Sequence, residues 1–192
     1  MYEVEVKVPA DLSSVERALE DAGAERAGEV VQVDTYYDAP HRDFAETDEA
    51  LRTREETRDG ETTTKLTYKG PLVDDESKTR EEFETAVADG AATATIFERM
   101  GFSPAATVRK DRQFYTLDGY TVTLDDVEGV GEFVEVEVET DEAGVERARA
   151  GAFEILELLG LDPADQVRTS YLGLLLENAG SNHRRLNCSR KL

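Results

Sequence analysis

The chain has 192 residues, enough for one domain with its own core, and 43 acidic against 22 basic residues leave a formal net charge of −21. That balance argues against a general nucleic-acid binder, which needs a basic face for phosphates, and against docking on an anionic membrane. The single cysteine, Cys188, excludes an intrachain disulfide and points to a reducing cytoplasm. The start lacks the basic stretch and apolar run of a signal peptide, and no segment has the length of a membrane span. The excess of acid resembles proteins from salt-loaded cytoplasms, where screening relieves self-repulsion.

The elements follow in chain order. Residues 2–8 alternate, with Val4, Val6 and Val8 on one face and Glu3, Glu5 and Lys7 on the other, and Pro9 ends the strand. Asp11 to Ala22 reads as a helix, with Ser13 and Glu16 as a capping box and Gly23 as the stop. A strand over 29–38 precedes a polar loop or short helix at 41–48. Strands near 49–57 and 62–69 flank the hairpin signal Arg58-Asp59-Gly60. Pro71 to Lys78 reads as a charged loop, Arg80 to Val87 as a strand, and Ala91 to Met100 as a helix closed by Gly101. Strands near 107–117 and 120–127 flank a second hairpin signal, Asp118-Gly119, and a last strand covers 132–139. Residues 142–160 read as a helix with Phe153, Ile155, Leu156, Leu158 and Leu159 partly on one face, and a final helix covers 164–178. The basic, acid-free run from Ser181 to Leu192 breaks the composition. Residues 179–192 therefore read as a disordered tail or cloning remnant behind a single domain at 1–178. About eight strands, mostly joined by hairpins, predict an α+β fold: an eight-stranded antiparallel barrel with flanking helices.

Several strands carry charge at every second position, which is the strand period. Glu3, Glu5 and Lys7 share one side of the first strand; Arg52 and Arg54, Lys65 and Lys69, Lys110 and Arg112, and Glu135, Glu137 and Glu139 do so on others. Any one set could be a solvated face. Jointly they are harder to dismiss, because Val4, Val6, Val134, Val136 and Val138 give the acidic strands an apolar face to pack on helices. The charged face then looks into the barrel. A lumen of glutamates and basic residues is costly when empty, and a metal-bound polyphosphate resolves the conflict: carboxylates meet the metal, and Arg and Lys meet phosphate oxygens. No Walker loop, zinc spacing or Ser/His/Asp arrangement competes with this.

The same residues resemble the CYTH family, the triphosphate tunnel metalloenzymes, which include class IV adenylyl cyclases, thiamine triphosphatases and inorganic triphosphatases. The resemblance starts with Glu3, Glu5 and Lys7. It continues through Asp34-Thr35-Tyr36-Tyr37-Asp38, Leu51-Arg52-Thr53-Arg54, Lys65 to Gly70, Lys78 to Glu82, Lys110-Asp111-Arg112, Leu124-Asp125, Gly131 to Glu137 and Ser170-Tyr171-Leu172, covering 1–178 in order.

It implies a triphosphate tunnel using Mg2+ or Mn2+, with Glu3, Glu5, Glu135 and Glu137 as metal ligands and Asp125 as a helper. Lys7, Arg52, Arg54, Lys65, Lys110 and Arg112 would bind phosphates, with Lys69 and Arg80 as weaker candidates and Glu82 orienting basic groups. Lys7, Arg112 and Tyr36 are the catalytic candidates; Tyr36 would act near Lys7 in proton transfer or positioning, or serve only in packing. The runs Tyr2 to Lys7 and Leu66 to Pro71 look like the class IV cyclase branch, which converts ATP to cyclic AMP and pyrophosphate. A triphosphatase acting on tripolyphosphate or an organic triphosphate is the alternative, ahead of a non-catalytic polyphosphate-binding module. The expected partner is a small-molecule triphosphate (ATP or tripolyphosphate), with no nucleic acid and no membrane; a homodimer is left open.

Overall fold

The computed structural model describes the backbone of residues 2–72 and 80–178, and side chains over 4–71 and 81–178. The tail at 179–192, the Lys78-Thr79 pair and the side chains of Glu3 and Arg80 lie outside the described residues. The strands are β1 (Tyr2–Pro9), β2 (Glu25–Asp38), β3 (Ala50–Arg58), β4 (Glu61–Leu72), β5 (Arg80–Val87), β6 (Ser103–Leu117), β7 (Tyr120–Val127) and β8 (Gly131–Thr140). The helices are α1 (Leu12–Asp21), α2 (Gly90–Arg99), α3 (Val145–Leu158) and α4 at 171–178. No described helix is long and apolar enough to cross a membrane.

The eight strands and flanking helices expected of an antiparallel barrel are present, ordered β1-β8-β7-β6-β2-β3-β4-β5, but with β1 and β5 at the two ends of the order the sheet is not strictly closed. The chain divides into two compact units, Met1–Glu29 with Lys110–Leu192, and Val30–Arg109. Both expected hairpins form. Asp59 and Gly60 have φ of 53° and 82°, and Asp118 and Gly119 have 50° and 83°. Two consecutive positive φ values match the right-handed strand twist, and Asp-Gly is a sequence that tolerates them.

In the first unit the apolar face of the sheet is Val6 and Val8 on β1, Val122 and Leu124 on β7, and Val134 and Val136 on β8. Val15 and Leu19 of α1 and Ala152, Ile155, Leu156 and Leu159 from α3 and its C-terminal end complete this core. The buried stripe of α3 runs 148, 152, 155, 156, 159, a helical period that leaves Leu158 exposed, unlike the expected face. In the second unit Phe97 of α2 meets Tyr37 of β2 edge-on at 5.1 Å and Phe102 at 5.6 Å.

Several expected boundaries are corrected. Asp11, not a Ser13–Glu16 box, caps α1: its carboxylate accepts from the Ser14 N–H at 2.8 Å, two residues closer to the strand than the box would be. Pro9 ends β1 as expected, but as its last paired residue, opposite Phe133; β1 stands at one end of the strand order, where a missing N–H is tolerated. Strand β2 begins earlier, at Glu25, and β6 at Ser103. Pro71 and Leu72 extend β4 past a register shift after Lys69 rather than opening a loop. Residues 142–144 form a 3-10 turn ahead of α3. The expected helix over 164–178 is two pieces, a 3-10 turn at Pro163–Asp165 and α4. Between them the chain is drawn onto β1, where the Val167 N–H donates to the Lys7 carbonyl at 2.8 Å.

Candidate active site

The strand registers decide which charges share a face. In the first unit Glu5 pairs with Glu137 and Lys7 with Glu135 across β1 and β8. Thr121 and Thr123 of β7 oppose Glu137 and Glu135, and Asp125 opposes Arg112 of β6. One face therefore carries Glu5, Lys7, Lys110, Arg112, Asp125, Glu135 and Glu137. It is not a solvated face: Lys7 is 3% exposed, Lys110 5%, Asp125 0% and Glu135 5%. Charged side chains are almost never buried to this degree unless paired.

The pairing is dense. Arg112 donates from Nε to Asp125 Oδ1 at 2.5 Å and from Nη2 to Asp125 Oδ2 at 2.8 Å, and Nη2 also reaches Glu135. The Tyr171 hydroxyl, from α4, donates to Asp125 Oδ2 at 2.7 Å. Lys7 Nζ donates to the Thr169 carbonyl at 2.7 Å and lies 4.2 Å from the Tyr171 ring centre, with Lys110 Nζ at 5.3 Å. Burial pushes the Glu135 carboxyl up, but Arg112, Lys110 and Lys7 outweigh it and hold it below the usual glutamate value. Burial pushes the Arg112 guanidinium down, yet Asp125 and Glu135 raise it and keep it charged. The Tyr171 phenol is raised by burial and then by Glu135 and Asp125, so it stays a donor.

The second unit repeats the pattern. Register pairing aligns Asp34 with Arg54, Tyr36 with Arg52, Arg52 with Thr67, and Arg54 with Lys65. Asp34, 1% exposed, accepts Arg54 Nε at 2.6 Å and Nη2 at 2.7 Å, and Arg52 Nη1 at 3.2 Å. Lys65 lies between Glu56 at 3.3 Å and Glu84 at 3.2 Å, and Lys69 meets Glu82 at 2.7 Å. The Tyr36 hydroxyl is 3.5 Å from Arg52 Nη1; burial raises its pKa, against the pull of Arg52, so it is a neutral hydroxyl and not a ready base. Among the described residues, Arg52 Nε, a buried donor, has no hydrogen-bond partner. A phosphate oxygen is the acceptor such a donor suits.

Asp125 is thus found holding Arg112 and Tyr171. Among the described residues no group of three or more His, Cys, Asp or Glu side chains is placed to hold a metal ion. The donor chemistry nevertheless fits a hard divalent cation: Glu5 and Glu137 are opposed carboxylates, with Glu135 on the same face. Sequence reasoning missed Asp34, Glu56, Glu84 and Tyr171 as site residues. Asp34 was findable, because Gln32, Asp34 and Tyr36 alternate as the charged strands do; Tyr171 comes from a helix and has no strand period to betray it.

The CYTH domain family model matches residues 1–171. The chain belongs to the CYTH family. This CYTH chain is 38% identical over 176 residues to the "Putative adenylate cyclase MJ0240" of Methanocaldococcus jannaschii, covering 91% of this chain and 98% of the relative. The solved protein PH1819 of Pyrococcus horikoshii is 37% identical with a TM-score of 0.80, over 92% of this chain and 99% of that one. A Hippeastrum structure, "Putative adenylyl cyclase HpAC1", described as having a dominant triphosphatase activity, shares the CYTH fold at 19% identity and a TM-score of 0.68, over 91% and 94% of the two chains.

Proposed function

We propose that this CYTH protein is a divalent-metal-dependent enzyme that converts ATP to cyclic AMP and pyrophosphate. The observation that carries the reading is that the charged strand faces are largely buried, as the apolar faces are, with cations and carboxylates interleaved on them. A site for a free anion would gain nothing from Glu5, Glu135 and Glu137; a site for a metal-bound polyanion needs both signs. The name of the Methanocaldococcus relative supports the cyclase branch.

Within the first unit the proposed phosphate ligands are Lys7, Lys110 and Arg112; within the second they are Arg52, Arg54 and Lys65. Glu5, Glu135 and Glu137, with Glu3, are the proposed ligands of Mg2+ or Mn2+, which when bound would neutralise phosphate charge and polarise the reacting oxygens. Cyclisation forms a bond from the ribose 3′-oxygen to the α-phosphorus and breaks the bond to the β-phosphate. Holding both ends of one molecule in line makes the attack intramolecular. Lys7 and Arg112 are the cations proposed to stabilise charge on the leaving pyrophosphate. Arg112 is suited to this, because Asp125 grips one edge of its guanidinium and fixes its plane. Tyr36, kept neutral, would donate a hydrogen bond rather than accept a proton. We place the reaction in the cytoplasm.

The second reading is a triphosphatase, in which water attacks the terminal phosphorus using the same residues. It is favoured by the activity described for the Hippeastrum protein of the same fold. Chromatography of products from ATP and from tripolyphosphate, each with Mg2+ or Mn2+, decides. Cyclic AMP and pyrophosphate support the cyclase. ADP and orthophosphate without cyclic AMP, with faster turnover of tripolyphosphate, establish the triphosphatase.

A further inference from the structure

The chain between α3 and α4 grips the first unit's cations from several directions. The Val167 N–H holds the Lys7 carbonyl, and the Thr169 carbonyl accepts from Lys7 Nζ at 2.7 Å. Two residues on, the Tyr171 ring lies under Lys7 and Lys110 and packs edge-on against Phe133 at 5.3 Å. Its hydroxyl takes the oxygen of Asp125 that also accepts Arg112 Nη2. A ring wedged between Phe133 and two ammonium groups has little freedom, so the phenol oxygen is a fixed post. A carboxylate tied to a fixed post presents its guanidinium partner in one plane.

We propose that Tyr171 is a positioning residue for the cations of the first unit. Its hydroxyl sets Asp125, and through Asp125 the plane of Arg112, while its ring and the Thr169 carbonyl set the Lys7 ammonium. The proposal rests on the reading of Lys7 and Arg112 as phosphate ligands. It gives the C-terminal segment a part in substrate affinity without touching substrate.

The test uses the full chain and magnesium tripolyphosphate as probe. Tyr171→Phe removes one oxygen and keeps the ring; Tyr171→Leu removes the ring as well. Calorimetric titration should show the Phe variant binding about tenfold more weakly, the lower end for one lost hydrogen bond to a charged group, and the Leu variant more weakly again. In an Arg112→Ala background, Tyr171→Phe should add nothing, because its effect runs through Arg112; a purely structural tyrosine would cost the same in both backgrounds. Unchanged affinity in Tyr171→Phe, or a full extra loss in the double variant, overturns the proposal. A wild type that binds no magnesium tripolyphosphate would overturn the functional reading instead. Hydrogen exchange at the Arg112 Nε–H would then decide the positioning: faster exchange in folded Tyr171→Phe supports it, and an unchanged rate overturns it. Should Tyr171→Leu fail to fold, the Phe variant carries both measurements.

Discussion

Glu5 on β1 stands directly opposite Glu137 on β8. Like charges so opposed weaken an antiparallel pair by about 0.2–1 kcal/mol, and this pair is half-buried, where screening by water is reduced. Nearby apolar pairs, Val6 with Val136 and Val8 with Val134, hold the two strands together regardless. A divalent cation held by both carboxylates would turn that opposition into a gain.

Adding Mg2+ or Mn2+ should therefore raise the melting temperature of the wild type. Glu137→Gln and Glu5→Gln should each raise the metal-free melting temperature slightly and shrink the metal-induced rise. A metal-induced rise of wild-type size in both variants would remove these residues from the metal site.

Asp34 is the shared anchor of Arg52 and Arg54. Asp34→Asn strips two buried guanidinium groups of their common carboxylate and should cost about 3–5 kcal/mol in urea unfolding. Arg54→Ala leaves the Arg52–Asp34 pair in place and should cost less. Equal losses would mean that Asp34 serves Arg54 alone.

Tyr36 gives a signed pH dependence. Its folded pKa is raised above 10.0, so its contribution to stability is whole below pH 10 and is lost as pH climbs above that value. Tyr36→Phe should lose less stability than the wild type between about pH 9 and 11, measured by urea unfolding at each pH. Parallel profiles would show that the hydroxyl is not shielded.

The net charge of −21 predicts that melting temperature rises steeply from dilute buffer to molar potassium chloride, as screening removes surface repulsion. A flat profile would dismiss salt adaptation and leave the metal and phosphate assignments untouched.

The alternation of Glu5 with Lys7, Arg52 with Arg54 and Glu135 with Glu137 made the strands and their charged faces legible, because period two admits one side only. The Asp-Gly pairs made both hairpins legible for a similarly local reason. What stayed hidden was partnership. That Asp125 would grip Arg112 depends on the β6–β7 register, and that Tyr171 would reach Asp125 depends on a chain reversal 46 residues away. The Pro163–Asp165 turn was illegible because the backbone bond from Val167 to Lys7 overrides a helix-like stretch. Asp11 hid behind Ser13 because both are good caps and only the strand end selects between them.

Burying Lys7, Lys110 and Arg52 takes positive charge off the outside of a chain that has little of it. A polyanion approaching this molecule first meets a repelling field, and attraction begins only at close range. Encounter should therefore speed up with ionic strength, the reverse of a steered enzyme. Chelation lowers the charge of a triphosphate, so the metal-bound form should arrive faster than the free one. Stopped-flow association at low and high potassium chloride would read this as a rising on-rate, with the outward acidity acting as a kinetic filter for substrate already carrying its cation.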